Sequence, residues 1–228
     1  MLRTAVDLIA TADAALIRTI ELSLAVSVGA TLLSALVSVP VGALVALTSF
    51  RGRSAVVITL NSLMGLPPVV VGLTVYLLLS RSGPLGTIGL LFTPSAMVIA
   101  QAILVSPIIA AMTRQTIEDL WTEYRDEFAA ADVRPVARVI ALVWDGRFSL
   151  VTALLAGFGR AVAEVGAVII VGGNIAGFTR TMTTTIALET SQGDLERAIA
   201  LGIILVAVVM LVNALVWTAR RVGQRYAA

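Results

Sequence analysis

Long apolar runs, separated by short clusters of charge, organise this chain. Four of them contain no charged residue at all: Leu22 to Thr48, Ala55 to Ser80, Pro94 to Thr113 and Ala198 to Thr218. A fifth, Phe148 to Val171, is equally apolar except for Arg160 and Glu164. Roughly 20 apolar helical residues cross a hydrocarbon core about 30 Å thick, so each run predicts a spanning helix. The pattern predicts one all-α transmembrane domain over 1–228, with spans at about 22–48, 55–80, 94–113, 148–171 and 198–218. A polar loop occupies 114–147. An odd number of crossings puts the termini on opposite sides.

Ahead of the first span, Val6, Ile9, Leu16, Ile17 and Ile20 share a helix face while Asp7, Asp13 and Arg18 point away. This fits an interfacial helix on the outer surface, and it fits equally an early start of the first span. Asp7 and Asp13 interrupt any apolar core of a cleavable signal. Prolines punctuate three spans, at Pro40, at Pro67-Pro68 and at Pro107. Each withdraws an intrahelical hydrogen bond, and in lipid the freed carbonyls need a neighbouring helix or a watery cavity. Bent helices around a central feature are expected.

Composition turns the pattern into a class. Hydrophobic residues make up 58% and charged residues 13%, against about 45–50% and about 25% in soluble domains. Lipid must be the solvent for much of the surface. There is no Cys, no His and no Lys, since the 16 basic residues are all Arg. Thiolate and imidazole metal sites, imidazole acid–base catalysis and Schiff-base chemistry are excluded, as is a nucleotide-binding P-loop, which needs a Lys. No cofactor is expected in this chain. The net charge of +2 with no basic stripe speaks against nucleic acid.

Arginine placement sets the expected orientation. Ten fall on one side, namely Arg51, Arg53, Arg114, Arg125, Arg134, Arg138, Arg147, Arg220, Arg221 and Arg225. Five fall on the other: Arg3, Arg18, Arg81, Arg180 and Arg197. The N-terminus is therefore expected outside, and the C-terminus and the 114–147 loop in the cytoplasm.

That loop holds five Arg and seven acids, interleaved with Trp121, Phe128, Val133, Val136, Val139, Ile140 and Trp144. The mixture predicts a continuation of the third helix, a break, and a short amphipathic helix. Asp132 is the expected N-cap, with Pro135 in the first turn. A solvated loop lying on the membrane is one reading; a docking element for a partner is the other.

The segment DEFAAADVRPVARVIALVWDGRFSLVTALLAGFGRAVAEVGA resembles the cytoplasmic "EAA" loop and following helix of ABC-importer permeases. The acidic-Ala-Ala start is matched loosely by Asp126-Glu127-Phe128 and Glu127-Phe128-Ala129-Ala130, and the family's glycine falls at Asp132. GFGRAVAEVGAVIIVGGNI, FTRTMTTTIALETSQGDLERAIALGIIL, GLPPVVVG and QAILVSPIIAAMTRQTIEDL are similar to tungstate-type permeases, with molybdate permeases as near relatives. The resemblance covers most of Ala55 to Leu205.

It implies a type I ABC-importer permease bundle in the cell (inner) membrane, working by alternating access. Implied partners are a second copy of the chain, two cytoplasmic ATPase subunits carrying ATP and Mg, an extracytoplasmic oxyanion-binding protein and membrane lipid. Coupling to the ATPase falls, by the resemblance, on Asp126, Glu127, Phe128, Ala129, Ala130, Asp132, Val133, Arg134, Val136 and Arg138.

Arg160 and Glu164 stand one turn apart on a helix. Charges at mid-membrane cost on the order of 2.5–3.5 kcal/mol each and face partners or polar cavities. They read as an internal ion pair, as a wall of the translocation path, or as both; Asn174 joins them as a path residue. Ala153, Gly157 and Ala161, and Gly159, Ala163 and Ala167, form small-residue rows that favour close helix packing, as across a homodimer axis. Thr179, Arg180 and Thr181 are candidates for an outer gate or a binding-protein contact, or are ordinary membrane-edge residues. The leading expectation is the permease of a tungstate importer, with a molybdate or other oxyanion importer as the alternative. A secondary transporter would carry relay residues and inverted repeats, and none is visible. An embedded enzyme lacks the side chains for catalysis.

Overall fold

A computed structural model describes residues 14–227, with side chains to residue 218. The described residues form nine α-helices and one 3-10 turn at Gly86–Ile88. In chain order they are α1 (Ala14–Leu47), α2 (Arg53–Leu63), α3 (Pro68–Leu79), α4 (Pro94–Ala130), α5 (Pro135–Asp145), α6 (Arg147–Val162), α7 (Gly166–Gly172), α8 (Met182–Gln192) and α9 (Leu195–Ala227).

Three helices are long and apolar enough to cross a membrane: α1, α4 and the Leu195–Thr218 part of α9. Two bent pairs raise the number to as many as five. In the first pair, the helix stops at Leu63 and restarts at Pro68, so the second predicted span is broken at Pro67-Pro68 rather than merely kinked. In the second, α5 and α6 meet at 70°. Pro40 and Pro107, by contrast, lie inside continuous helices.

The run 148–171 is not one helix. It is divided into α6 and α7 by Ala163, Glu164 and Val165. At the N-terminus, Leu16, Ile17 and Ile20 belong to the opening turns of α1, which is the early start of the first span. Val6, Ile9, Asp7 and Asp13 lie outside the described residues, as does Arg3.

α1 shows how lipid inverts the usual packing rule. Ser23, Ser27, Thr31, Ser34 and Ser38, spaced three or four apart, are all buried, while Leu32, Leu36 and Leu44 are exposed. Water would demand the reverse. In a bilayer the apolar side chains are already solvated, and small hydroxyl residues let helices approach and bond across the contact. Ser34 and Ser106 are 3.0 Å apart in such a contact.

The chain divides into two compact units, each assembled from separate stretches. One contains the described parts of Met1–Gly29, Pro68–Gln101 and Val162–Ala228; the other contains Ala30–Pro67 and Ala102–Ala161. In the first, α3 lies close on α7, because a Cβ at Gly72 would stand 2.8 Å from Ala167 Cα. In the second, Ala43, Ala46, Ile117 and Leu142 form a core flanked by Trp121, Tyr124 and Phe128. Val105, Ile109 and Ala161 form a smaller one with Val39 and Leu154. The row Ala153, Gly157 and Ala161 is thereby used inside the chain: Gly157 faces Ile109 of α4. Gly159, in the other row, has open space beside it.

Candidate functional site

The 114–147 region is a pair of packed helices. α4 runs on to Ala130, and α5 folds back so that Leu142 enters the core around Ile117. Phe128 stacks on Trp121, with centroids 6.2 Å apart and rings 19° from parallel. Arg138 lies 5.9 Å over the Trp121 ring, and its Nε donates to Val133 O at 2.7 Å. These contacts fix the turn from within. Asp126, Glu127, Ala129, Ala130 and Arg134 are exposed around it, and Val133 is half-buried.

Asp132 does not cap α5. The N-cap is Arg134, in extended backbone and with no side-chain cap bond, followed by Pro135 at the start of the helix. Asp132 instead takes a φ of +46°. Its N–H donates to Ala129 O at 3.3 Å, and that of Val133 to Phe128 O at 3.2 Å. These two bonds are the left-handed closure that usually ends on glycine. Asp132 thus does the backbone work of a glycine, one of the few L-residues that tolerate it.

α5 has two apolar faces. Leu142 enters the core formed with Ala43 and Ala46 of α1 and Ile117 of α4, and Val139 and Val143 pack against that core. Val136, Ile140 and Trp144, four residues apart, remain 71%, 64% and 69% exposed. Only Val136 of these three was singled out by the resemblance; the spacing of Ile140 and Trp144 carried the same signal. Arg147 covers the Trp144 ring at 4.8 Å. Beside the helix, Tyr124, Phe128, Ala141, Leu142 and Asp145 line a cleft of about 250 Å³. The carboxylates of Glu123 and Asp145, some burial, and then Glu127 raise the Tyr124 phenol above its usual pKa. It is a neutral O–H donor in an acidic rim. At the base of the pair, Glu118 binds two guanidiniums: Arg53 Nη2 at 2.9 Å and Arg114 one turn back.

The helix that carries Arg160 ends at Val162, before Glu164. Arg160 sits in the last turn of α6, where a cation suits the carbonyl end of the helix. Glu164 is buried in the break, and its Oε1 accepts the Ala167 N–H at 3.1 Å, the first turn of α7. Its own carbonyl accepts from Thr183 Oγ1 at 2.8 Å. A carboxylate on free N–H groups at a helix start is well placed electrostatically, which is how a buried acid persists here.

Thr179 and Thr181 are buried and committed to the fold. Thr179 Oγ1 donates to Gly172 O at 2.5 Å and accepts from Ile175 N at 2.9 Å, closing the loop after α7. Thr181 caps α8 in a reciprocal box with Thr184. Arg180, between them, donates from Nη2 to Asn174 O at 3.3 Å and keeps its Nε unpartnered. Asn174 takes a φ of +49°, and its side-chain Oδ1 is buried without a partner. The structure therefore gathers Asn174 with Arg180, and α5 with the turn before it. Arg18, Glu189 and Arg197, none of them among the expected site residues, line a cavity with Arg180.

No family model matches the chain. It is 46% identical over 198 residues to a probable anion ABC transporter permease protein of Haloferax volcanii, covering 85% of each. It is 39% identical over 216 residues to the tungstate uptake system permease protein TupB of Peptoclostridium acidaminophilum, covering 95% of each. The molybdenum transport system permease protein ModB of Haemophilus influenzae is 28% identical over 92% of this chain and 96% of its own length.

Proposed function

The chain belongs to the permease subunits of ABC anion importers, and from that premise we propose that it carries tungstate into the cytoplasm by alternating access. It is a membrane transport protein. Two relatives that are 39% and 37% identical are named for tungstate uptake, whereas the molybdenum relatives match at 28–29%. That gradient supports tungstate over molybdate. The chain supplies the path, and a separate ATPase subunit with its ATP and Mg supplies the work. An extracytoplasmic binding protein delivers the anion. A second copy of the chain completes the membrane part, with two ATPase subunits beneath it and lipid around it.

The observation that carries the coupling role is the double-faced α5. Its inner face is anchored in the core that includes Ile117 of α4, and its outer face leaves Val136, Ile140 and Trp144 exposed. A helix held on one side and exposed on the other transmits a push as a rigid body. Asp126, Glu127, Ala129, Ala130, Asp132 and Arg134 frame its entry, while Phe128, Val133 and Arg138 brace it. Arg160, Glu164 and Asn174 belong to the path, where helix ends offer fixed partial charges to a passing anion. Arg180 is the outer contact, with Thr179 and Thr181 holding its loop. The N-terminus is outside and the C-terminus cytoplasmic.

Reconstitution of the chain with candidate ATPase and binding-protein partners tests this reading. ATP hydrolysis should rise with tungstate more than with molybdate, and least with sulfate. Equal stimulation by all three would overturn the substrate, and failure to form any complex with an ATPase would overturn the importer role.

A further inference from the structure

A cavity of about 340 Å³ opens beside the first turns of α1, lined by Arg18, Arg180 and Arg197 together with Thr19, Thr185 and Glu189. These residues come from α1, from the loop before α8, from α8 and from α9, so the fold assembles what the sequence scatters. Among the described residues that line it, three are arginines and one is an acid, an excess of two positive charges.

Glu189 is only 8% exposed, and its Oε1 stands 3.5 Å from Arg197 Nε. It balances Arg197 and leaves the other two. Among the described residues Arg18 has no ion pair, and Arg180 has only the long bond to Asn174 O and an idle Nε. The hydroxyls are already spent as donors, Thr19 on Ala15 O and Thr185 on Thr181 O, both within 2.8 Å. The charged donors left to meet a ligand are guanidinium N–H groups, which suit the paired oxygens of an oxyanion. A second cavity of about 280 Å³ shares Arg18, Thr19, Gly177 and Arg180 with the first and adds one acid, Glu21, to its own lining.

We propose that this cavity is an oxyanion site within the permease, holding a free tetrahedral dianion before it enters the path. The volume is several times that of one water, about 30 Å³, so the anion keeps part of its hydration shell. A hydrated ion held by charge alone is bound weakly and released readily, as transport requires. A phosphodiester headgroup of an anionic lipid offers the same oxygens but one negative charge, a poorer match to an excess of two. The site rests on the importer reading for the identity of its anion, not for its charge.

Equilibrium binding of radiolabelled tungstate to the full chain, in nanodiscs of zwitterionic lipid without ATPase or binding protein, tests the site. Saturable binding of one anion per chain is expected, competed by molybdate and sulfate and not by equimolar chloride. Arg18→Gln, which breaks no bond to the described residues, should weaken binding at least tenfold, as should Arg180→Gln, while Arg51→Gln, on an exposed turn, should leave it unchanged. Unaltered binding in both cavity variants would overturn the proposal. So would equal competition by chloride, or loss of binding when phosphatidylglycerol replaces a third of the lipid, which would give the cavity to a headgroup. Stimulation of an ATPase plays no part in this measurement, so its absence would sink the importer reading and leave the site standing.

Discussion

Asp132 holds a backbone angle of +46° that costs most L-residues about 1–2 kcal/mol and glycine nothing in sterics. Its side chain forms none of the bonds that close the turn; those run through the main chain. Asp132→Gly should therefore preserve transport and raise the stability of the purified permease by up to about 1 kcal/mol. Asp132→Val, β-branched, should lower it by more than that, and thermal unfolding in detergent reads both. Gly42 presents the opposite constraint, one of space. A Cβ there would stand 2.6 Å from Ala110 O and 2.9 Å from Thr113 Cβ, so the backbones of α1 and α4 touch at this point. Gly42→Ala should cost about 1–3 kcal/mol through overpacking. Gly159→Ala, with nothing within 4 Å, should cost nothing measurable in the same assay.

Along α5 the two apolar faces separate stability from coupling. Leu142→Ala removes a buried side chain and should destabilise by about 2–5 kcal/mol. Ile140→Glu with Trp144→Glu changes only exposed positions. It should leave folding and anion binding intact yet abolish co-purification of the ATPase subunit and reduce transport more than tenfold. Retained co-purification would mean that this stripe meets lipid instead. Both faces of α5 could be read from spacing, as could α1, α4 and α9 from unbroken apolar runs. The break between α6 and α7 could not. Ala163, Glu164 and Val165 include neither glycine nor proline, and the carbonyl of Glu164 at the break is met by Thr183, 19 residues away. A contact that distant leaves no local trace. The buried hydroxyl row of α1 was present in the sequence but reads as polar-outward under the rules of water, and only a lipid solvent reverses it. Asp132 was marked as the turn residue for the right position and the wrong reason: Asp both caps helices and tolerates positive φ, and the letter alone does not distinguish them.

For the molecule as a whole, the arginine bias and the structure bear on the same question of sidedness. Arg18, Arg180 and Arg197, distant in sequence and all assigned outside, line one cavity. Arg53 and Arg114, both assigned to the cytoplasm, meet on Glu118. These groupings keep the two sets of arginines apart, and an inverted orientation would keep them apart equally. The membrane adds a charge preference to this grouping, because cationic loops are retained in the cytoplasm during insertion. The absence of any cysteine from the chain makes the orientation directly measurable. Single substitutions Ser49→Cys, in the turn after α1, and Ala130→Cys, at the end of α4, fall at exposed positions on the side carrying ten arginines. Ser82→Cys and Gln192→Cys fall at exposed positions on the side carrying five. A membrane-impermeant maleimide added to intact cells, or to spheroplasts where an outer membrane intervenes, should label the second pair at once and the first only after permeabilisation. The inverse pattern would reverse the orientation and place α5 out of reach of any ATPase. Labelling of Ser82→Cys and Ala130→Cys from the same side would show that α4 does not cross at all, and the five-span topology would fall with it.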